Sequence, residues 1–288
     1  KDSRKVNMDW RSFDAVSLEK AYNPQKSVEN YSQFQTHRTA ISRECRKNMK
    51  SYLDVAYGSN ELQKIDIFPA NNFSPVHLFF HGGYWRTQDK NNFAFLARTL
   101  VPQGVTTIIV NYDLCPKVSL DEVVESSRNA IEWTYNNIEK YNGDPNRISV
   151  SGNSAGAHLC SMLLATDWKK RGFPQHIISG AVLFSGIYDP EPARWITVNE
   201  EIGLTAETAA RNNSMKYEPT VECPIWIGAG GLEPWLWLQQ TFNYSQHLRR
   251  HGYDPEVHIL PNHHHFSIMD EMLDHNKIIA QAVLKRLG

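Results

Sequence analysis

Three short stretches hold residue types that could carry out acyl transfer. The first is Ile148 to His158, ISVSGNSAGAH. An apolar run leads directly into Gly152-Asn153-Ser154-Ala155-Gly156, which fits G-x-S-x-G. On a strand–turn–helix bend such a serine projects its hydroxyl, and glycines without Cβ atoms let strand and helix approach closely. A bare hydroxyl is a poor nucleophile at neutral pH and needs a base. The second stretch is Phe79-Phe80-His81-Gly82-Gly83-Tyr84-Trp85. A glycine pair after an early strand can turn its backbone N–H groups toward a developing oxyanion, joined by the N–H of Ala155. His81 then reads as a residue that orients the loop rather than a catalyst.

The third stretch, Pro261-Asn262-His263-His264-His265-Phe266, offers the base. Neighbouring histidines in an extended loop point in different directions, and no acidic or cysteine partner stands at ligand spacing. The run therefore reads as one base with two bystanders, not a metal site. The imidazole needs an acid that fixes its tautomer, placed after a strand between serine and histidine. Glu233, in Gly230-Gly231-Leu232-Glu233, fits best; Asp189, after the preceding strand, is its rival.

These loops demand a particular scaffold. Short apolar runs at Leu62–Phe68 (one face solvated), Val76–Phe80, Val105–Val110, Ile148–Ser151, His176–Phe184, Pro224–Ala229 and Glu256–Leu260 read as strands. Helical patterns lie between or after them at 92–100, 120–139 (N-capped by Ser119), 155–166, 237–250 (stopped by Gly252) and 276–287. Residues 190–222 read as irregular, with a weak helix at 206–212. Strands of about five residues alternating with helices predict an α/β fold with a mostly parallel central sheet flanked by helices. Residues 1–55 are polar and read as an N-terminal helical extension near the pocket, with a helix near 32–50. No repeat or linker divides the 288 residues, so one domain over 1–288 is expected.

Composition narrows the function classes. A net charge of −1 gives no field that would recruit nucleic acid or an anionic membrane. The four cysteines, Cys45, Cys115, Cys160 and Cys223, form no CxxC pair, so zinc and disulfide frameworks are not expected. The charged start KDSRKVNMDW, with Met8 a candidate initiator, lacks the apolar core of a signal peptide, and no run approaches the ~18 residues of a membrane span. A cytoplasmic location is the expectation.

The motifs together resemble the α/β-hydrolase superfamily and, more narrowly, the kynurenine formamidase (arylformamidase) group. HGGYW at His81–Trp85, the segment Val110–Pro116 (VNYDLCP) and Ser154–Leu159 (SAGAHL) carry the resemblance, with the downstream order of acid, helix and His-Phe pair. It spans roughly residues 55–288. The resemblance implies Ser154 as nucleophile, His265 as base, and an oxyanion hole from the backbone of Gly83, Tyr84 and Ala155. Glu233 departs from it, since animal members have Asp at the acid position. It further implies N-formyl-L-kynurenine as a small-molecule substrate, no cofactor, and no nucleic-acid or membrane partner; a homodimer stays open. Candidate substrate contacts are His81, Trp85, Asn153 and Trp235, with Tyr84 and Trp237 as further stacking surfaces; for Trp235 and Trp237 core packing or a hydrophobic lid is an equal reading. A carboxylesterase acting on short acyl esters would use the same machinery. A non-catalytic binding protein on the same scaffold would usually lack a part that this chain has.

Overall fold

The computed structural model describes residues 9–288; Met8 and the residues before it lie outside that span. The strands are β1 (Tyr52–Ala56), β2 (Lys64–Phe68), β3 (Ser74–Phe80), β4 (Thr106–Val110), β5 (Gly143–Asn153), β6 (Gly180–Phe184), β7 (Ile225–Gly230) and β8 (Glu256–Leu260). They form one sheet in the order β1-β2-β4-β3-β5-β6-β7-β8. β1 and β2 run antiparallel to their neighbours, and every pairing from β4 to β8 is parallel. The parallel strands β3, β4, β6 and β7 are buried almost throughout, which is why they read as unbroken apolar runs, whereas β8 at the sheet edge is only partly buried.

The helices are α1 (Ala15–Tyr22), α2 (Pro24–Ser27), α3 (Gln33–Asn48), α4 (Phe95–Leu100), α5 (Leu120–Asn137), α6 (Ala155–Leu164), α7 (Asn199–Ile202), α8 (Ala206–Arg211), α9 (Trp235–Arg250) and α10 (Ile278–Leu284). α5 starts at a full capping box: the Ser119 hydroxyl accepts from the Glu122 N–H, and the Glu122 carboxylate accepts from the Ser119 N–H at 2.8 Å. Two apolar clusters, one on each face of the sheet, hold these layers together.

Four expectations need correction. The helical extension ends at Asn48, and Tyr52–Ala56 adds an edge strand whose pairing with β2 no local pattern announced. β2 has no solvated face: Asp66 is fully buried because Arg46 and Lys90 pair with it from that side. His176–Ser179 lie outside the ladder; Ile177 and Ile178 are buried there without strand pairing, so β6 begins at Gly180. The helix expected from residue 92 starts at Phe95, after a 3-10 turn at Lys90–Asn92.

The register brings the carboxyl ends of the central strands level. Phe80 lies beside Gly152, Asn153 beside Phe184, and Gly230 beside Leu260. The loops that follow β3, β5, β6, β7 and β8 therefore crowd one edge of the sheet, where open α/β sheets place their ligands.

Candidate active site

Ser154 occupies the bend between β5 and α6 with φ 58° and ψ −119°, a strained conformation for a residue with a side chain. Its N–H donates to the Phe184 carbonyl on β6 at 3.1 Å, and its carbonyl accepts the His158 N–H that opens α6. Gly156 is what permits this bend. A Cβ there would overlap the Phe80 carbonyl oxygen of β3, so the helix could not seat against the sheet.

The His265 ring stands over this serine: its Nε2 lies 3.0 Å from Ser154 Oγ, and its Nδ1 lies 2.6 Å from Glu233 Oε1. Glu233 Oε2 accepts from the Ser185 hydroxyl at 2.7 Å and from the Gly230 N–H at 2.8 Å. With the carboxylate holding Nδ1–H, Nε2 is free to accept the serine proton. All three residues are buried. Asp189, the rival acid, makes no hydrogen bond with His265; it accepts the Glu191 N–H, and burial raises its carboxyl pKa. The histidine run does not converge either. His263 bonds Ser267 and Glu271, and His264 Nδ1 accepts from the Phe266 and Ser267 N–H groups.

The loop after β3 lies against the serine, where a Cβ on Gly82 would sit 3.1 Å from Ser154 Cβ. Gly83 has φ 113° and Tyr84 φ 51°, which turns the chain back on itself. Among the described residues, neither donates a backbone hydrogen bond, and Ala155, as the first residue of α6, has no intrahelical acceptor. Gly83 and Tyr84 line the same pocket as Ser154, and Ala155 follows it in the chain. The Tyr84 hydroxyl donates to the Tyr22 carbonyl at 2.6 Å, which ties this loop to α1.

The substrate contacts expected from residue type divide. Asn153 lines the pocket beside Ser154, and its buried Nδ2 has no acceptor. His81 does not line it: the ring is fully buried between Phe93 and Tyr112, with Nδ1 2.7 Å from the Gly82 carbonyl. Burial lowers its pKa. Trp85 is likewise a core residue, because the positive φ of 58° turns its indole inward to donate to His158 Nδ1 at 3.1 Å. Trp235 stands at the start of α9, 51% exposed against Phe242 and away from the pocket. Trp237 is buried edge-on to His265, 4.8 Å between ring centroids, and donates to the Ser185 carbonyl. It steadies the histidine rather than facing a ligand.

The remaining pocket walls come from two sources, one of them the N-terminal helices expected near the pocket. Phe93, Phe266 and Met269 supply the apolar surface, and Asn23, Gln25, Gln35, Arg38 and Thr39 descend from the N-terminal helices. α3 has a polar sequence that reads as a solvated helix, so nothing local marks Arg38 as buried. Among the described residues, no helix is long and apolar enough to cross a membrane.

Comparison with known proteins agrees with this fold. Residues 77–269 match a family described as having the alpha/beta hydrolase fold. The chain is 29% identical to the kynurenine formamidase of Danio rerio over 97% of its own length and 99% of the relative's. It is 30% identical to that of Salmo salar, over 97% and 98%. Among solved structures, a protein from Silicibacter sp. tm1040 superposes with a TM-score of 0.82 at 22% identity, covering 93% of this chain and 98% of that one. An esterase from Pyrobaculum calidifontis superposes at 0.70 with 14% identity, covering 98% and 94%. At such identities the two structures speak for the fold alone.

Proposed function

Because this chain belongs to the alpha/beta hydrolase family and is an arylformamidase-like hydrolase, we propose that it cleaves N-formyl-L-kynurenine to kynurenine and formate through Ser154, His265 and Glu233. The observation that carries the reading is the unbroken contact from Glu233 through His265 to Ser154, at 2.6 and 3.0 Å, beside unused backbone donors. Two fish relatives named kynurenine formamidase, matched nearly end to end, support the substrate.

In the proposed reaction Ser154 Oγ attacks the formyl carbon while His265 Nε2 takes its proton. The carbonyl oxygen becomes an oxyanion held by the N–H groups of Gly83, Tyr84 and Ala155. One such donor is worth roughly 3–4 kcal/mol in the transition state. Collapse breaks the C–N bond, and His265 returns the proton to the departing aryl amine. Water, deprotonated by the same nitrogen, then attacks the formyl-serine and releases formate. Glu233 fixes the ring and offsets the imidazolium charge throughout.

The second reading is a carboxylesterase for short acyl esters. It is favoured by the 31% identity to an isoprenylcysteine alpha-carbonyl methylesterase of Arabidopsis thaliana over 38% of this chain. Steady-state turnover of N-formyl-L-kynurenine and p-nitrophenyl acetate separates the two. Efficient deformylation is expected; negligible deformylation beside rapid ester cleavage removes the formamidase reading. A fluorophosphonate should label the protein, and Ser154→Ala should abolish both the label and turnover, with kcat falling on the order of 10⁶-fold. Labelling that survives this substitution would refute Ser154 as the nucleophile.

A further inference from the structure

The pocket beside Ser154 has no aspartate or glutamate among its lining residues but two arginines, Arg38 and Arg86. Arg86 is engaged by Glu201, its Nη1 2.8 Å from Oε2. Arg38 is different. It descends from α3, is 4% exposed, and spends only Nη1, on Asp270 Oδ1. Among the described residues, its Nε and Nη2 have no acceptor.

Desolvating a guanidinium is expensive unless its charge and its donors are met. Asp270 meets the charge only in part, because its side chain is 38% exposed and therefore screened. The unspent donors belong to a planar fork that matches a carboxylate. Gln25, Gln35 and Thr39, from the same N-terminal segment, surround the opening with neutral groups that cannot compete as anions.

We propose that Arg38 is the specificity-determining residue of this site and grips a carboxylate on the substrate, so that the enzyme selects anionic acyl donors, above all aryl amides of an amino acid. This rests on the reading of Ser154, His265 and Glu233 as an acyl-transfer site. It supplies what that chemistry leaves open: neither the triad nor the oxyanion donors distinguish a charged leaving group from a neutral one. Arg38 enters from a helix outside the sheet, so the selecting residue and the reacting residues lie on separate elements.

The test is a ratio: kcat/KM for N-formyl-L-kynurenine against kcat/KM for its carboxamide, which keeps the formanilide and loses the anion. In the wild type the acid should be preferred by roughly 10- to 100-fold, the range of hydrogen bonds to a charged group. Most of the preference should appear in KM. In Arg38→Gln the ratio should fall toward one, and in Arg38→Lys it should be intermediate, since a point charge lacks the fork. If Arg38→Gln does not fold, Asp270→Asn provides a second measure: removing the competing carboxylate should raise the ratio. No preference in the wild type, a preference kept in Arg38→Gln, or an unchanged ratio in Asp270→Asn overturns the proposal.

Failure of the parent reading looks different. If no aryl formamide is turned over but esters are, the same ratio is taken for 4-acetoxyphenylacetate against its carboxamide, which keeps the anion on the leaving-group side. A preference for the acid that is lost in Arg38→Gln retains the grip without the formamidase; equal rates overturn the grip. No turnover with either pair overturns both.

Discussion

Glu233 is held from three sides, by Ser185, by the Gly230 N–H and by His265. Two of those donors fix the carboxylate whether or not the histidine is charged, so its second oxygen stays aimed at Nδ1. A glutamine cannot copy this. Turned to accept from Ser185 and Gly230, its NH2 would face Nδ1 and force the ring into the tautomer that cannot take the Ser154 proton. Glu233→Gln should therefore lower kcat about 10³- to 10⁴-fold with little change in KM. Ser185→Ala removes one donor and should lower it by only about tenfold. Steady-state kinetics with the two variants checks this, and a Glu233→Gln enzyme within tenfold of wild type would remove the acid from the proposed mechanism.

At the scale of elements, the serine bend depends on α6 lying almost in contact with β3. Gly156 is the point of closest approach, with the Phe80 carbonyl where a Cβ would have to be. The clash is with backbone, which no rotamer change relieves. Gly156→Ala should destabilise the protein by at least about 2 kcal/mol, read from the denaturation midpoint in urea. A midpoint equal to wild type would show that the helix seats farther from the sheet than described. The loop after β3 is fastened separately, through the Tyr84–Tyr22 bond to α1 and the packing of Tyr84 on Trp237. The N-terminal helices thus line the pocket and also hold the loop that carries Gly83 and Tyr84.

For the whole molecule, two buried histidines make stability depend on pH. His77 sits between Ser149 and Ser151, and burial pushes its pKa down to about 3. His158 accepts from Trp85 at Nδ1 and reaches the Asn212 carbonyl through Nε2, a pattern that requires the neutral ring; burial pushes it down to about 4. The unfolded chain protonates both near pH 6.5, whereas the native protein refuses the proton until far lower. Their contribution is therefore complete above pH 6.5 and is lost as pH falls toward 4. Each should withdraw about 2 kcal/mol between pH 7 and pH 5. Urea unfolding at the two pH values measures the loss, and His77→Gln should reduce it by about 2 kcal/mol. The carboxylates lowered by partners, such as Asp121 beside Arg211, lose their contribution only below pH 4, in a separate window.

The sequence by itself determined the parts whose chemistry is local. The Ser154 bend, the glycine loop at 82–83 and the alternation of strand and helix are short-range patterns, because backbone φ, Cβ clashes and burial on both faces act within a few residues. Glu233 was legible because it follows a strand whose carboxyl end must reach that sheet edge; the same argument limited the base to the histidine run 263–265, and the family resemblance selected His265. Tertiary structure alone decided what each large side chain faces. Aromatic character marks Trp85, Trp235 and Trp237 as valuable contacts but not where they point. A backbone turn sends the first into the core, a helix start leaves the second in solvent, and the third braces the histidine. Only packing could put Arg38, on a helix that reads as solvated, inside the pocket, because burial of a single charge depends on elements hundreds of residues apart meeting in space, as Arg38 meets Asp270.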